Sequence, residues 1–115
     1  MPELRYVVLR HDGIAEPHFD VMLESAPDGP LRTWRSSCWP LQSQVKLQPL
    51  GAHRREYLTF EGNLSGDRGH VMRVAEGTYS IVAEHGESLT IRLNSPTPSQ
   101  WTITRTPNGD VVTEA

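Results

Sequence analysis

The chain has 115 residues, 37% of them hydrophobic, and a formal charge of −3, which suits one domain spanning residues 1–115 around a single core and leaves no room for a second. It contains no apolar run of membrane-spanning length and no charged-then-apolar leader, so the expectation is a soluble cytoplasmic protein with no membrane partner. The negative charge argues against strong non-specific binding along duplex DNA, which needs many phosphate neutralisations.

The charge is unevenly placed. Residues 31–73 carry seven cations against three carboxylates, a balance of +4, whereas residues 74–115 carry two against five, a balance of −3. Ten of the eleven cations are Arg, the side chain whose planar fork grips phosphate through paired hydrogen bonds. The lone Cys38 excludes an internal disulfide and fits a reducing compartment. Beside Trp34 and Trp39 it reads as a packed small hydrophobe.

Alternation and turn residues predict a succession of short strands. Leu4 to Arg10 is the first, an apolar run with Tyr6 and Val8 opposite Val7 and Leu9, as expected of a strand buried on both faces. Asp12-Gly13 and Glu16-Pro17 mark the following loop. His18 to Glu24 is the second strand, with Phe19, Val21 and Leu23 on one face and His18, Asp20, Met22 and Glu24 on the other, so that the core lies behind the polar face. Pro27-Asp-Gly-Pro30 is a turn signal that folds Leu31 to Arg35 back on the second strand as a hairpin. Residues 36–50, with Pro40 and Pro49, read as irregular. Strands are then predicted over Glu56 to Phe60, Gly69 to Ala75, Thr78 to Ala83, Ser88 to Leu93 and Trp101 to Arg105. Glu84 to Glu87 and Asn94 to Ser99 are the connections between the later ones, and Asn108-Gly109 makes a last tight turn before Val111 and Val112. No segment carries a clean helical period. The expected class is all-β or mainly β with little helix and short loops, in a small barrel or a sandwich.

Chemistry concentrates at His18 and Asp20, which share a strand face because side chains two apart point the same way. With His11 folding over from the preceding loop, two nitrogens and a carboxylate oxygen form a set that suits Mn²⁺, Fe²⁺ or Zn²⁺. The same His-x-Asp pattern is also what a solvated strand face carries. His53, between Gly51-Ala52 and Arg54-Arg55, reads on its own as a surface histidine with phosphate-friendly neighbours, and Tyr57 as either a site or a core residue. His70 and His85 read as surface residues, and Glu61 as a structural turn residue.

Arg5-Tyr-Val-Val-Leu-Arg-His11 followed by Pro17-His18-Phe19-Asp20-Val21-Met22-Leu23-Glu24, then Leu31-Arg-Thr-Trp34, His53-Arg-Arg-Glu-Tyr57 and Phe60-Glu61-Gly62 occur in one order along the chain. Gly69-His-Val-Met-Arg-Val, Gly77-Thr-Tyr79, Leu89-Thr-Ile-Arg-Leu and Trp101-Thr-Ile-Thr-Arg105 continue it. This ordered set resembles the 3′-phosphoesterase domain of bacterial DNA ligase D and its stand-alone relatives, over roughly Arg5 to Arg105. The resemblance favours the barrel. It implies that His11, His18 and Asp20 bind a divalent metal, usually manganese, with Zn²⁺ or another divalent ion as the alternative, and that His53 and Tyr57 face the scissile phosphate. The implied function is metal-dependent removal of a 3′-phosphate or 3′-ribonucleotide from DNA ends in repair. The implied partners are DNA or RNA-containing DNA 3′ ends and ligase, polymerase or Ku-type end-joining proteins. One position departs from the pattern: where the family places an Arg two residues beyond the metal-binding Asp, this chain has Met22, and a thioether cannot replace a guanidinium on phosphate. Weakened turnover is the expectation, with Lys46 or Arg35 as substitute cations.

Two other readings stand beside this one. The first keeps the metal and the DNA ends without catalysis. The second is a non-haem iron oxygenase using His18, Asp20 and His70 or His85.

Overall fold

Nine antiparallel strands and a single 3₁₀ turn make up the computed structural model, which describes residues 3–53, 55–64, 66–94 and 98–115, residue 55 by its backbone. The strands are β1 (Leu4–Asp12), β2 (His18–Glu24), β3 (Leu31–Ser36), β4 (Lys46–His53), β5 (Gly62–Asn63), β6 (His70–His85), β7 (Ser88–Leu93), β8 (Ser99–Thr106) and β9 (Gly109–Glu114). Eight of them close into a ring in the order β1-β2-β3-β4-β9-β8-β7-β6, with β6 returning to pair with β1, while β5 adds a short ladder to β6. The expected mainly β, barrel-like class is observed, and no α-helix occurs among the described residues. Closure removes most of the open edge that a sheet of this length would otherwise present.

Alternation decides what each strand buries. Tyr6 and Val8 from β1, Val21 and Leu23 from β2, and Trp34 from β3 point into the ring and pack with residues such as Trp101 and Val112. The opposite face of β1 to β3 is also covered. Val7, Leu9, Met22 and Leu31 form a second, smaller cluster with Leu58 and Val71, against which Tyr57, Phe60 and Leu64 pack. The apolar run of β1 is therefore buried on both faces, as its composition predicts.

The β2–β3 hairpin has the predicted partners and pairs Asp20 with Arg35. Four expectations are corrected. His11 lies within β1, directly opposite His18, instead of in the loop. Residues 46–50 of the segment expected to be irregular belong to β4, where Pro49 is tolerated because β9 pairs with β4 only at Lys46 and Leu47, leaving one edge unpaired from Gln48 onward. Glu56 to Phe60 is not a strand: Arg55–Leu58 is a 3₁₀ turn, and the Thr59 and Phe60 N–H groups both donate to the Glu56 carbonyl. Tyr57 and Phe60, three apart, meet edge to face with centroids 5.8 Å apart, which matches a three-residue turn better than a two-residue alternation. Finally, the two strands expected on either side of Gly77 are one, β6, because Gly77 continues the ladder opposite Tyr6. Its first half pairs with β1 and its second half with β7, so β6 is the strand that closes the ring.

Candidate metal centre

His11 and His18 face each other across β1 and β2, and Asp20 lies opposite Leu9 on the same side. That side is the outer one, under the 3₁₀ turn and the following segment. His18 is 7% and Asp20 6% exposed, which excludes the solvated strand face as an explanation for them. Ligand atoms of His11, His18 and Asp20 all lie within 4.8 Å of one another. His70 and His85 lie outside this group, so among the described residues the ligand set of the oxygenase reading does not assemble.

Hydrogen bonds assign the protons on both rings. His18 Nδ1 lies 2.9 Å from the Glu16 carbonyl, which can only accept, so Nδ1 carries a hydrogen and, in the neutral ring, the lone pair is on Nε2. His11 Nε2 lies 2.6 Å from the Arg68 carbonyl, leaving the lone pair on Nδ1. The two free nitrogens converge on the carboxylate: His18 Nε2 is 3.2 Å from Asp20 Oδ1 and His11 Nδ1 is 4.0 Å from Oδ2. Oδ1 is buried and has no hydrogen-bond donor among the described residues. Lone pairs brought together out of water repel unless a cation stands among them, and carbonyl acceptors behind metal-binding histidines are the usual way their orientation is fixed. The donor set therefore fits a divalent metal on its chemistry as well as on its spacing.

The Arg68 carbonyl reaches His11 because two chain segments touch. Gly69 has φ +79°, and a Cβ there would lie 2.1 Å from the Asp12 carbonyl oxygen, so only glycine permits the approach.

His53 and Tyr57 line the same hollow as the three ligands, with Met22, Leu50, Arg35 and Arg68 among its other walls. The hollow has about 180 Å³, room for an ion and a phosphate-sized group but not for a drug-sized ligand. His53 Nδ1 donates to the Gly51 carbonyl at 2.9 Å, which leaves Nε2 uncommitted, and the His53 and Tyr57 rings meet at 5.8 Å. Arg54, offered by the sequence as a neighbouring cation, lies outside the described residues, as does the Arg55 side chain.

Met22 is 1% exposed and sits in the second apolar cluster. A cation is nevertheless present. Arg35 projects from β3 directly opposite Asp20, lines the hollow, and has its Nε buried without a hydrogen-bond partner among the described residues. The observed hairpin register sets this placement, its pairs centred between Pro27 and Asp28 so that Arg35 faces Asp20. Lys46, the other substitute cation, does not line this hollow; it borders the next one along β4. Glu61 has the structural role expected: its carboxylate accepts the Arg73 backbone N–H and pairs with the Arg73 guanidinium.

Compared with known proteins, the chain matches no protein-family model, and no curated protein is significantly similar to it.

Proposed function

We propose that the protein is a divalent-metal-dependent phosphoesterase that processes the 3′ ends of DNA strands, removing a terminal phosphate or ribonucleotide. One observation carries the reading. A largely buried His-His-carboxylate set, a histidine-tyrosine pair and a guanidinium whose buried Nε has no hydrogen-bond partner among the described residues all line a single hollow of phosphate size. His11 Nδ1, His18 Nε2 and the Asp20 carboxylate would hold the metal, Mn²⁺ in first place and Zn²⁺ or another divalent ion otherwise. When bound, the metal supplies charge that polarises a phosphoryl oxygen and helps orient an in-line displacement.

The remaining steps belong to the chain. Arg35 offers a pair of N–H donors to the phosphoryl oxygens, the function that Met22 cannot perform. Tyr57 donates a hydrogen bond to the same group. His53, anchored through Nδ1, exchanges a proton at Nε2 with the attacking water or with the departing oxygen, the 3′-oxygen when a terminal phosphate is removed and the 5′-oxygen when a terminal nucleoside is released. Apolar Met22, Leu50 and Val71 restrict water around these groups. A cytoplasmic setting with ligase, polymerase or Ku-type end-joining partners suits this chemistry.

The test is incubation of the protein and Mn²⁺ with strands ending in a 3′-phosphate or a 3′-ribonucleotide. Release of phosphate or of the terminal nucleoside is expected, together with a loss of about a hundredfold or more in His53→Ala, whose Mn²⁺ binding is retained. Tight binding of such ends without turnover would favour the non-catalytic end-binding reading instead.

A further inference from the structure

Arg35 borders two hollows. One is the metal hollow; the other, of about 340 Å³, is lined by Arg35, Ser37, Lys46, Gln48 and Asn108 with the backbone-rich stretch at Leu47 and Gly109. The second hollow has two cations, three neutral hydrogen-bonding side chains and, among the described residues, no carboxylate. Lys46 is exposed at the start of β4, where the ladder to β9 holds its backbone opposite Val111. A surface with this inventory selects for anions, and Arg35 is shared with the metal hollow.

We infer that the Lys46 hollow is a second phosphate subsite, which takes the phosphodiester next to the terminal one and so makes the site selective for strands over mononucleotides. The inference rests on the phosphoesterase reading for the identity of the terminal group. The Arg35 guanidinium stands between the two phosphates, and its several donors allow it to serve both. Lys46 contacts the inner phosphate as a mobile point charge, and Ser37, Gln48 and Asn108 offer it neutral hydrogen bonds. Because these groups meet the backbone and not the bases, the subsite is indifferent to sequence.

Binding tests this independently of turnover. The probes are a fluorescein-labelled single strand ending in a 3′-phosphorothioate, which resists hydrolysis, and the matching nucleoside 3′-monophosphorothioate, each added to the Mn²⁺-loaded full chain. The parent is expected to bind the strand more tightly than the mononucleotide. Lys46→Ala should weaken strand binding about three- to tenfold and reduce the slope of log affinity against log salt by about 0.7, the value for one phosphate contact on a single strand. Mononucleotide binding should not change, and Lys46→Arg should restore the strand affinity. Lys46 is the only lysine, so protection of that one side-chain amine from acetylation by the strand and not by the mononucleotide gives a second readout on the unmutated protein.

Equal affinity of the parent for strand and mononucleotide, or a Lys46→Ala effect that is absent or the same for both, overturns the subsite. If the parent hydrolyses neither kind of end while Lys46→Ala still separates strand from mononucleotide, the phosphoesterase reading fails and the subsite stands. Normal hydrolysis with no Lys46 effect is the converse.

Discussion

Replacing Asp20 by Asn tests the metal centre at the point where its geometry is sharpest. With metal chelated away, Oδ1 is buried without a donor and lies 3.2 Å from the His18 Nε2 lone pair. A desolvated acceptor left unpaired costs about 1–3 kcal/mol. The Asn side chain has nearly the same volume, so no cavity is introduced, and its amide can donate to His18 Nε2 for about 1 kcal/mol of net gain. The metal-free variant is therefore expected to be more stable than the metal-free parent by about 1–3 kcal/mol, which in a domain of this size raises Tm by roughly 4–12 °C. Excess Mn²⁺ reverses the order. The parent gains about 4.1 kcal/mol at a thousandfold excess over Kd, more than the variant's advantage, while a neutral amide in place of the carboxylate leaves the variant with little gain. Thermal unfolding followed in chelator and across a Mn²⁺ titration, at mildly alkaline pH, reads both effects. If Asp20→Asn were the less stable protein in chelator, the carboxylate would be held by an imidazolium ion pair, and the assignment of a lone pair to His18 Nε2 would be refuted.

Two further outcomes are expected. Arg35→Ala should lower the rate on 3′-phosphorylated ends by about a hundredfold with Mn²⁺ affinity intact, and Arg35→Lys should recover only part, because a point charge lacks the guanidinium fork; steady-state kinetics beside a metal titration check this, and an unchanged rate in Arg35→Ala removes the residue from the site. The Tyr79 hydroxyl donates to the Glu24 carbonyl, and burial pushes its pKa up from 10.0 to about 12. Its contribution is therefore complete below pH 10 and lost as pH rises through about 12, a span worth roughly 2–3 kcal/mol, so urea unfolding of Tyr79→Phe should show a flatter alkaline limb than the parent, and identical limbs would count against it.

Much of this was legible in the sequence because it rests on period-two alternation. The pairing of His18 with Asp20 on one face, the doubly buried β1 and the hairpin that carries Arg35 all follow from side-chain direction along a strand. What escaped were features decided by partners distant in sequence. Residues 46–53 carry two turn-favouring residues, Pro49 and Gly51, and become a strand because β3 offers a ladder. Gly77 looks like a break until β1 pairs across it. Tyr57 and Leu58 look like strand residues, yet the apolar outer face of β1 and β2 draws them into a 3₁₀ turn that roofs the hollow. The burial of Met22 and the position of Lys46 outside the metal hollow likewise depend on how β4 and the turn settle over β2, which no local pattern encodes.

The three candidate metal ligands all come from one hairpin, within ten residues of chain, whereas Arg35, Lys46 and His53 come from the next, β3 with β4. The division gives the fold two separable hereditary units. Changes in β3, β4 and the turn after them can alter which anion is held, how long a strand is required, or whether a proton is transferred, without disturbing the seat of the cation. If the proposed phosphoesterase activity holds, a lineage could pass from one phosphoester to another by rewriting one hairpin, and a designer seeking a new specificity has the same short segment to vary.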